Sequence, residues 1–237
     1  MVKWEVQLSG DALDLKELSK SLVDDELRVL GRDGQYFLES NRFESLINSK
    51  EVASLAADIL KVLTGAVRLS IGGRTPLQVV NTAMISPDGC KDVFVTVSDR
   101  VHVRATMSIE IARSDGTKEV FHPAHSIPLW IKVALTDQNV AKALRLFGTD
   151  EHNWVSLYRL YEVIVGDIGD SEKIVSKGWA TKSSIRRFKR TANSPSAVGD
   201  DSRHGKESST PPPDPLDIGE AKALVEFILH NWLRSKV

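Results

Sequence analysis

The run Val120-Phe121-His122-Pro123-Ala124-His125-Ser126-Ile127-Pro128-Leu129-Trp130 is where this 237-residue chain changes its period. Upstream, apolar residues recur at every second position, the pattern of strands with one face toward a core. Downstream they recur at every third or fourth position, as on the buried stripe of a helix. Pro123, set between two histidines, marks an extended junction. The spacing predicts an α+β protein: an antiparallel sheet domain carrying one or two helices over residues 1–124, then an all-α helical bundle over residues 125–237.

Upstream of the junction, the clearest strand is Val101 to Ile111. Val103, Ala105, Met107, Ile109 and Ile111 share one face, and His102, Arg104, Thr106, Ser108 and Glu110 the other. Ser114-Asp115-Gly116 turns it into a short return strand near Val120 and Phe121. Val2, Trp4, Val6 and Leu8 alternate with Lys3, Glu5 and Gln7 in a first strand. Leu27 to Leu30 and Tyr36 to Leu38 flank a hairpin loop, Gly31-Arg32-Asp33-Gly34. Val67, Leu69 and Ile71 alternate again, Leu77 to Ile85 follows, and Pro87-Asp88-Gly89 turns into Val93 to Val97. One strong helix interrupts these strands. Val52, Leu55, Ala56, Ile59, Leu60 and Leu63 fall at helical spacing, Asn48 with Glu51 forms a capping box, and Gly65 is placed to stop it. A weaker helix surrounds Leu15, Leu18 and Leu22.

Downstream, helical spacing runs from Trp130 to Phe147, with a break near Asp137 and a stop at Gly148. Asp150 is placed to cap the next helix, whose stripe is Trp154, Leu157, Tyr158, Tyr161, Ile164 and Val165. A short piece, Glu172 to Ser176, precedes Gly178-Trp179. Thr181 then caps a helix through Ile185 and Phe188. Asp217 and Glu220 form the capping box of the last helix, along Ala221, Leu224, Val225, Ile228, Leu229, Trp232 and Leu233. Between these last two helices the stretch 194–216, rich in Ser, Gly, Asp and Pro, reads as a flexible loop; segments of that length are functional or disordered.

Lys plus Arg number 31 and Asp plus Glu 32, so bulk charge does not bind this chain to nucleic acid. The division is uneven: residues 1–122 hold 15 basic and 18 acidic side chains, leaving 16 and 14 for the rest. No window nears the roughly 18 apolar residues of a membrane span, and no signal pattern opens the chain, so no membrane role is expected. One cysteine, Cys90, forms no internal disulfide, and a reducing, cytoplasmic setting is the default.

The sequence lacks a phosphate-binding Gly-rich loop; Gly72-Gly73-Arg74-Thr75-Pro76 reads as a turn. It also lacks a Gly-x-Ser-x-Gly elbow. His122 and His125 could approach one another, but a metal needs three or four ligands and nothing nearby in sequence completes the set. Neither metal nor cofactor is expected. His102 sits on the polar face of its strand, and His152 in the first turn of its helix. His230 joins Glu226 and Arg234 in a solvent-facing charge stripe.

The informative run is Arg186-Arg187-Phe188-Lys189-Arg190-Thr191-Ala192-Asn193, followed within the loop by Arg203-His204. Guanidinium groups pair with phosphate oxygens and an imidazole takes and returns a proton, which suffices for acid–base cleavage of RNA without metal. The bland counterpart is a solvated basic helix end.

A bundle whose penultimate helix ends in Arg190-Thr191-Ala192-Asn193, followed by a loop bearing His204 and a final amphipathic helix, resembles the HEPN domains of prokaryotic toxin and phage-defence systems. The resemblance implies an RNA-binding protein and a metal-independent endoribonuclease. Arg190 and Asn193 would fill the Arg/Asn part of the motif and His204 the His part. Thirteen residues separate Arg190 from His204 in this chain, against the few of the family pattern, and Arg203 adjoins His204. The implied roles are phosphate holding by Arg190 and Arg203, proton transfer by His204 and orientation by Asn193, with Arg186, Arg187 and Lys189 binding substrate. A homodimer is implied too, because two motifs share one cleft in that family. The rival expectation is a non-catalytic module that docks a protein partner through the same cations.

Overall fold

The computed structural model describes residues 3–86, 91–95, 109–112, 118–121, 123–149, 152–206 and 210–237. The chain divides into two compact units, Met1–Lys132 and Val133–Val237, a division slightly past the change of period. The class is α+β, with a five-stranded antiparallel sheet in the first unit followed by helices. Most of the Val101 to Ile111 strand lies outside the described residues. So do the turns at Pro87-Asp88-Gly89 and Ser114-Asp115-Gly116, together with Cys90, His102, His122 and Asp150.

In the first unit, β1 (Lys3–Ser9), β2 (Leu27–Arg32), β3 (Gln35–Ser40), β4 (Gln78–Ile85) and β5 (Lys91–Val95) lie in the order β2-β3-β1-β4-β5. A separate antiparallel pair joins β6 (Ile109–Ala112) to β7 (Lys118–Phe121). The β2–β3 connection is tighter than the expected four-residue loop. Pairing continues to Arg32↔Gln35, and only Asp33 (φ 51°) and Gly34 (φ 76°) turn the chain. Two successive left-handed residues match the twist of the strands, so Gly31 and Arg32 stay in the ladder.

Helix α1 (Ala12–Ser21) packs on β2, and α2 (Ser49–Ile71) on β1 and β4. Asn48 caps α2 by accepting the Glu51 N–H at 2.9 Å. The expected stop at Gly65 and strand at Val67 to Ile71 are both corrected. Gly65 is buried inside the helix, which runs on until Gly72, in the left-handed conformation at φ 67°, closes it. Val62, Ala66 and Leu69 extend the buried stripe at helical spacing. That burial outweighs the roughly 1 kcal/mol cost of an interior glycine.

The alternation in β1 buries Trp4, Val6 and Leu8 on one face, yet Glu5 on the other is only 1% exposed. Arg32 donates to Glu5 at 2.5 Å and reaches Glu39 on β3 at 3.4 Å, while Lys91 donates to Glu5 at 3.0 Å. Burial pushes the Glu5 carboxyl up, and the Lys91 and Arg32 bonds more than reverse this, holding it below its ordinary value.

Helix α3 (Ser126–Ala134) spans the division, with Ile127, Trp130 and Ile131 buried. The second unit holds α4 (Gln138–Phe147), α5 (Trp154–Ile168), α6 (Ser171–Ser176), α7 (Lys182–Ala192), α8 (Pro195–Val198) and α9 (Ile218–Arg234). Asp137 caps α4 at the expected break. Asn153, not the expected Asp150, caps α5 in a reciprocal bond pair with Ser156. Thr181 and Asp217 cap α7 and α9 likewise. The flexible reading of 194–216 needs revision at its start, because α8 and a turn of 3₁₀ helix at Gly199–Asp201 occupy it and Ser194 is fully buried. A proline at the first helical position favours this short helix.

The ends of three helices in this unit meet at Lys236. Its ammonium donates to Asp137 at 2.8 Å and to Asp167 at 3.0 Å, and Asp167 also accepts Trp232 Nε1–H at 2.9 Å. Burial raises both carboxyls, but the Lys236 hydrogen bonds and charge outweigh it and leave both below their ordinary values.

Candidate nucleic-acid interface

Helix α7 sorts its cations by geometry. Ile185, Phe188 and Ala192 point into the core. Residues three apart share a side of a helix, so Arg186 pairs with Lys189 and Arg187 with Arg190. The second pair is occupied. Arg190 donates to the Thr210 carbonyl at 2.6 Å and the Pro211 carbonyl at 3.1 Å. Arg187 donates to the Asp214 carbonyl at 2.6 Å and meets the Asp214 carboxylate at 2.7 Å. These two side chains hold the proline-rich segment 210–215 along α7.

Arg186 and Lys189 are exposed, and their side chains make no hydrogen bond or ion pair among the described residues. They line a groove of about 270 Å³ against α6, floored by Val175 and Ile185, where Lys182 pairs with Glu172 at 2.9 Å.

Arg203 and His204 form the third neighbourhood. The Arg203 N–H donates to the Ala192 carbonyl at 2.8 Å, which pins the loop beside the end of α7. Its guanidinium lies 4.2 Å from the centre of the Tyr158 ring and donates to Glu162 at 2.8 Å. Tyr158 in turn stacks on Phe188 at 5.7 Å. A cation on an aromatic face, tied also to a carboxylate, has little freedom left. His204 Nε2 is 3.4 Å from Arg203 Nη1. A guanidinium only donates, so a hydrogen bond in this contact has Nε2 as its acceptor. Asn193 donates to the Lys189 carbonyl at 2.8 Å and approaches the Tyr158 hydroxyl at 3.5 Å, while its Oδ1 is buried without a partner among the described residues.

The fold thus gathers Arg203, His204 and, across Tyr158, Asn193. Arg190 and Arg187 are drawn to the proline-rich segment, and Arg186 and Lys189 to the α6 groove. Tyr158 and Glu162 are not among the site residues that the sequence points to. Their spacing of four on α5 puts them on one side of that helix, the one signal that could have drawn attention to them.

The other histidines have local roles. His152 precedes the α5 cap instead of sitting in the first turn, with its ring 4.9 Å from Phe147 and Nε2 3.0 Å from the Phe147 carbonyl. His230 is half-buried on α9, and burial first, then Arg234, lowers its pKa. Among the described residues, no three His, Cys, Asp or Glu gather as a metal site, and no helix is long and apolar enough to cross a membrane. No family model, curated protein or solved structure matches this chain, which leaves the side chains themselves as the guide to function.

Proposed function

We propose that the helical unit binds RNA through its phosphodiester backbone, as the HEPN resemblance implies. The observation that carries this reading is Arg203, held on Tyr158 and Glu162 with His204 beside it. Its Nε makes no hydrogen bond among the described residues and is available to a phosphate oxygen. A guanidinium fixed before the ligand arrives loses little side-chain entropy on binding. Arg186 and Lys189, unpaired among the described residues, add two further contacts for a polyanion.

Fluorescence anisotropy with labelled single-stranded RNA in EDTA tests the proposal. These three phosphate contacts contribute about −2 to the log–log salt slope. Arg203→Ala and the double variant Arg186→Ala, Lys189→Ala should each weaken binding and flatten that slope. No binding at low salt overturns the reading. Binding only to a protein, indifferent to salt, would favour the docking-module alternative.

The contact of His204 with Arg203 favours a second reading, in which the bound strand is also cut. His204 would take the proton of a 2′-hydroxyl, the 2′-oxygen would bond to phosphorus, and the 5′-oxygen would leave with a proton. The HEPN resemblance places the donor of that last proton on a second copy of the chain. Cleavage in EDTA at some pH between about 5 and 9, ending in a cyclic phosphate and lost in His204→Ala, is the expected result. RNA that is bound yet intact across that range removes cleavage and leaves binding standing.

A further inference from the structure

A groove in the second unit lies away from α7. It runs between α4 and α5, encloses about 650 Å³, and takes Lys142 and Leu146 from α4 and Arg159, Glu162, Val163 and Gly166 from α5. Residues 159, 163 and 166 follow one another at helical spacing, so a single face of α5 forms one wall. Leu146 and Val163 make an apolar floor. At Gly166 an added Cβ would meet nothing within 4 Å, which leaves the helix backbone open to a flat group.

The charges on this groove are one-sided. Lys142 and Arg159 are exposed and make no hydrogen bond or ion pair among the described residues. Glu162, the only acid on the wall among the described residues, is already paired with Arg203. Glu162 therefore does double duty: it lines the groove and holds the guanidinium proposed to bind phosphate. The groove and Arg203 are continuous through that one side chain.

We infer that the α4–α5 groove is a nucleotide subsite. It would take one base of the RNA on Leu146, Val163 and Gly166, and the flanking phosphates on Lys142 and Arg159, next to the phosphate at Arg203. The size falls in the range of small-molecule sites, and an apolar floor with cationic edges suits a ring carried on a charged backbone. This inference rests on the RNA-binding reading above and extends it to a defined path.

The test is anisotropy with a labelled oligouridylate and the full chain in EDTA, over a salt series. Lys142→Ala with Arg159→Ala should weaken binding at least tenfold and reduce the salt slope by about 1.4, or about 0.7 per cation removed. Gly166→Leu, which fills the floor on an exposed helix position, should weaken binding while leaving the salt slope unchanged. A control, Lys16→Ala with Lys50→Ala, removes the same charge from the first unit and should bind like the parent. Thermal melts check that all variants fold. If the parent binds RNA and the groove variants bind equally well, the subsite is overturned and the RNA reading stands. If the control weakens binding as much as the groove variants, net charge is the cause and the subsite is again overturned. If the parent binds no RNA, both fall.

Discussion

Lys236→Met is the sharpest probe of what holds the helical unit together. Methionine keeps most of the aliphatic stem and deletes the ammonium, which faces Asp137 and Asp167 and stands 5.4 Å from the centre of the Trp232 ring. The three side chains are 24%, 25% and 13% exposed, so the two bonds are partly shielded from water but not sealed. Charge-assisted hydrogen bonds contribute about 1.5–3 kcal/mol when buried, and partial exposure reduces the pair to about 2 kcal/mol in total. For a unit of this size that corresponds to a fall in Tm of roughly 10 °C. The pH dependence is equally specific. Both carboxyls titrate below their ordinary values in the folded state, so their contribution is complete above the unfolded value and disappears as pH falls through the folded ones. Lys236 is raised, its burial being outweighed by the two carboxylates, so its contribution is complete below its ordinary value and disappears only as pH rises through the folded one. Urea unfolding of parent and variant should differ by a constant amount between about pH 5 and pH 9 and begin to converge only as pH falls below about 4, through the lowered folded values. A deficit under about 0.5 kcal/mol at pH 7, or one that persists unchanged in acid, would refute the reasoning.

Other consequences follow from the same contacts. Arg190→Ala removes the donors to Thr210 and Pro211, and should cost about 1 kcal/mol while speeding proteolytic cleavage within 210–215. Gly73→Ala places a Cβ 2.5 Å from Val67 Cγ1 and 2.7 Å from Asp14 Oδ2, and should destabilise the sheet unit by about 1–3 kcal/mol in chemical denaturation. Glu5→Gln removes the only charged partner of Lys91 among the described residues and leaves Arg32 with Glu39 alone, at 3.4 Å. It should cost about 1–2 kcal/mol at neutral pH, shrinking as acid protonates the parent carboxyl. Tyr158→Leu takes away the surface under Arg203 and part of the aromatic packing on Phe188, so RNA affinity measured well below the variant's melting temperature should drop; an equal drop in Tyr158→Phe would place the effect in the hydroxyl instead.

Much of the architecture can be read from neighbours along the chain. Asn48, Thr181 and Asp217 each cap a helix by accepting an N–H three residues ahead, and such bonds need no tertiary context. The buried stripes of α5 and α9 stand out because their period is uninterrupted. Val67 to Ile71 misleads for a related reason. Three β-branched or long apolar residues at alternate positions satisfy a strand template, and only the burial of Ala66 and Val67 shows that the helix continues. Glu5 reads as solvent-facing by alternation, whereas Arg32 and Lys91, far away in sequence, make its burial tolerable.

At the interface, local sequence carries the residue types and the helix they sit on. Four cations within Arg186 to Arg190, with no acid among them, look alike along the chain. Their fates are set by what packs against each side of α7: carbonyl oxygens for Arg187 and Arg190, an open groove for Arg186 and Lys189. Arg203 meets Glu162 across 41 residues, a pairing no local pattern contains. Helix ends and periods are short-range physics, written in adjacent residues. Which charges remain free to meet a ligand is settled by long-range packing, because a charge is free only when folding brings no acceptor to it.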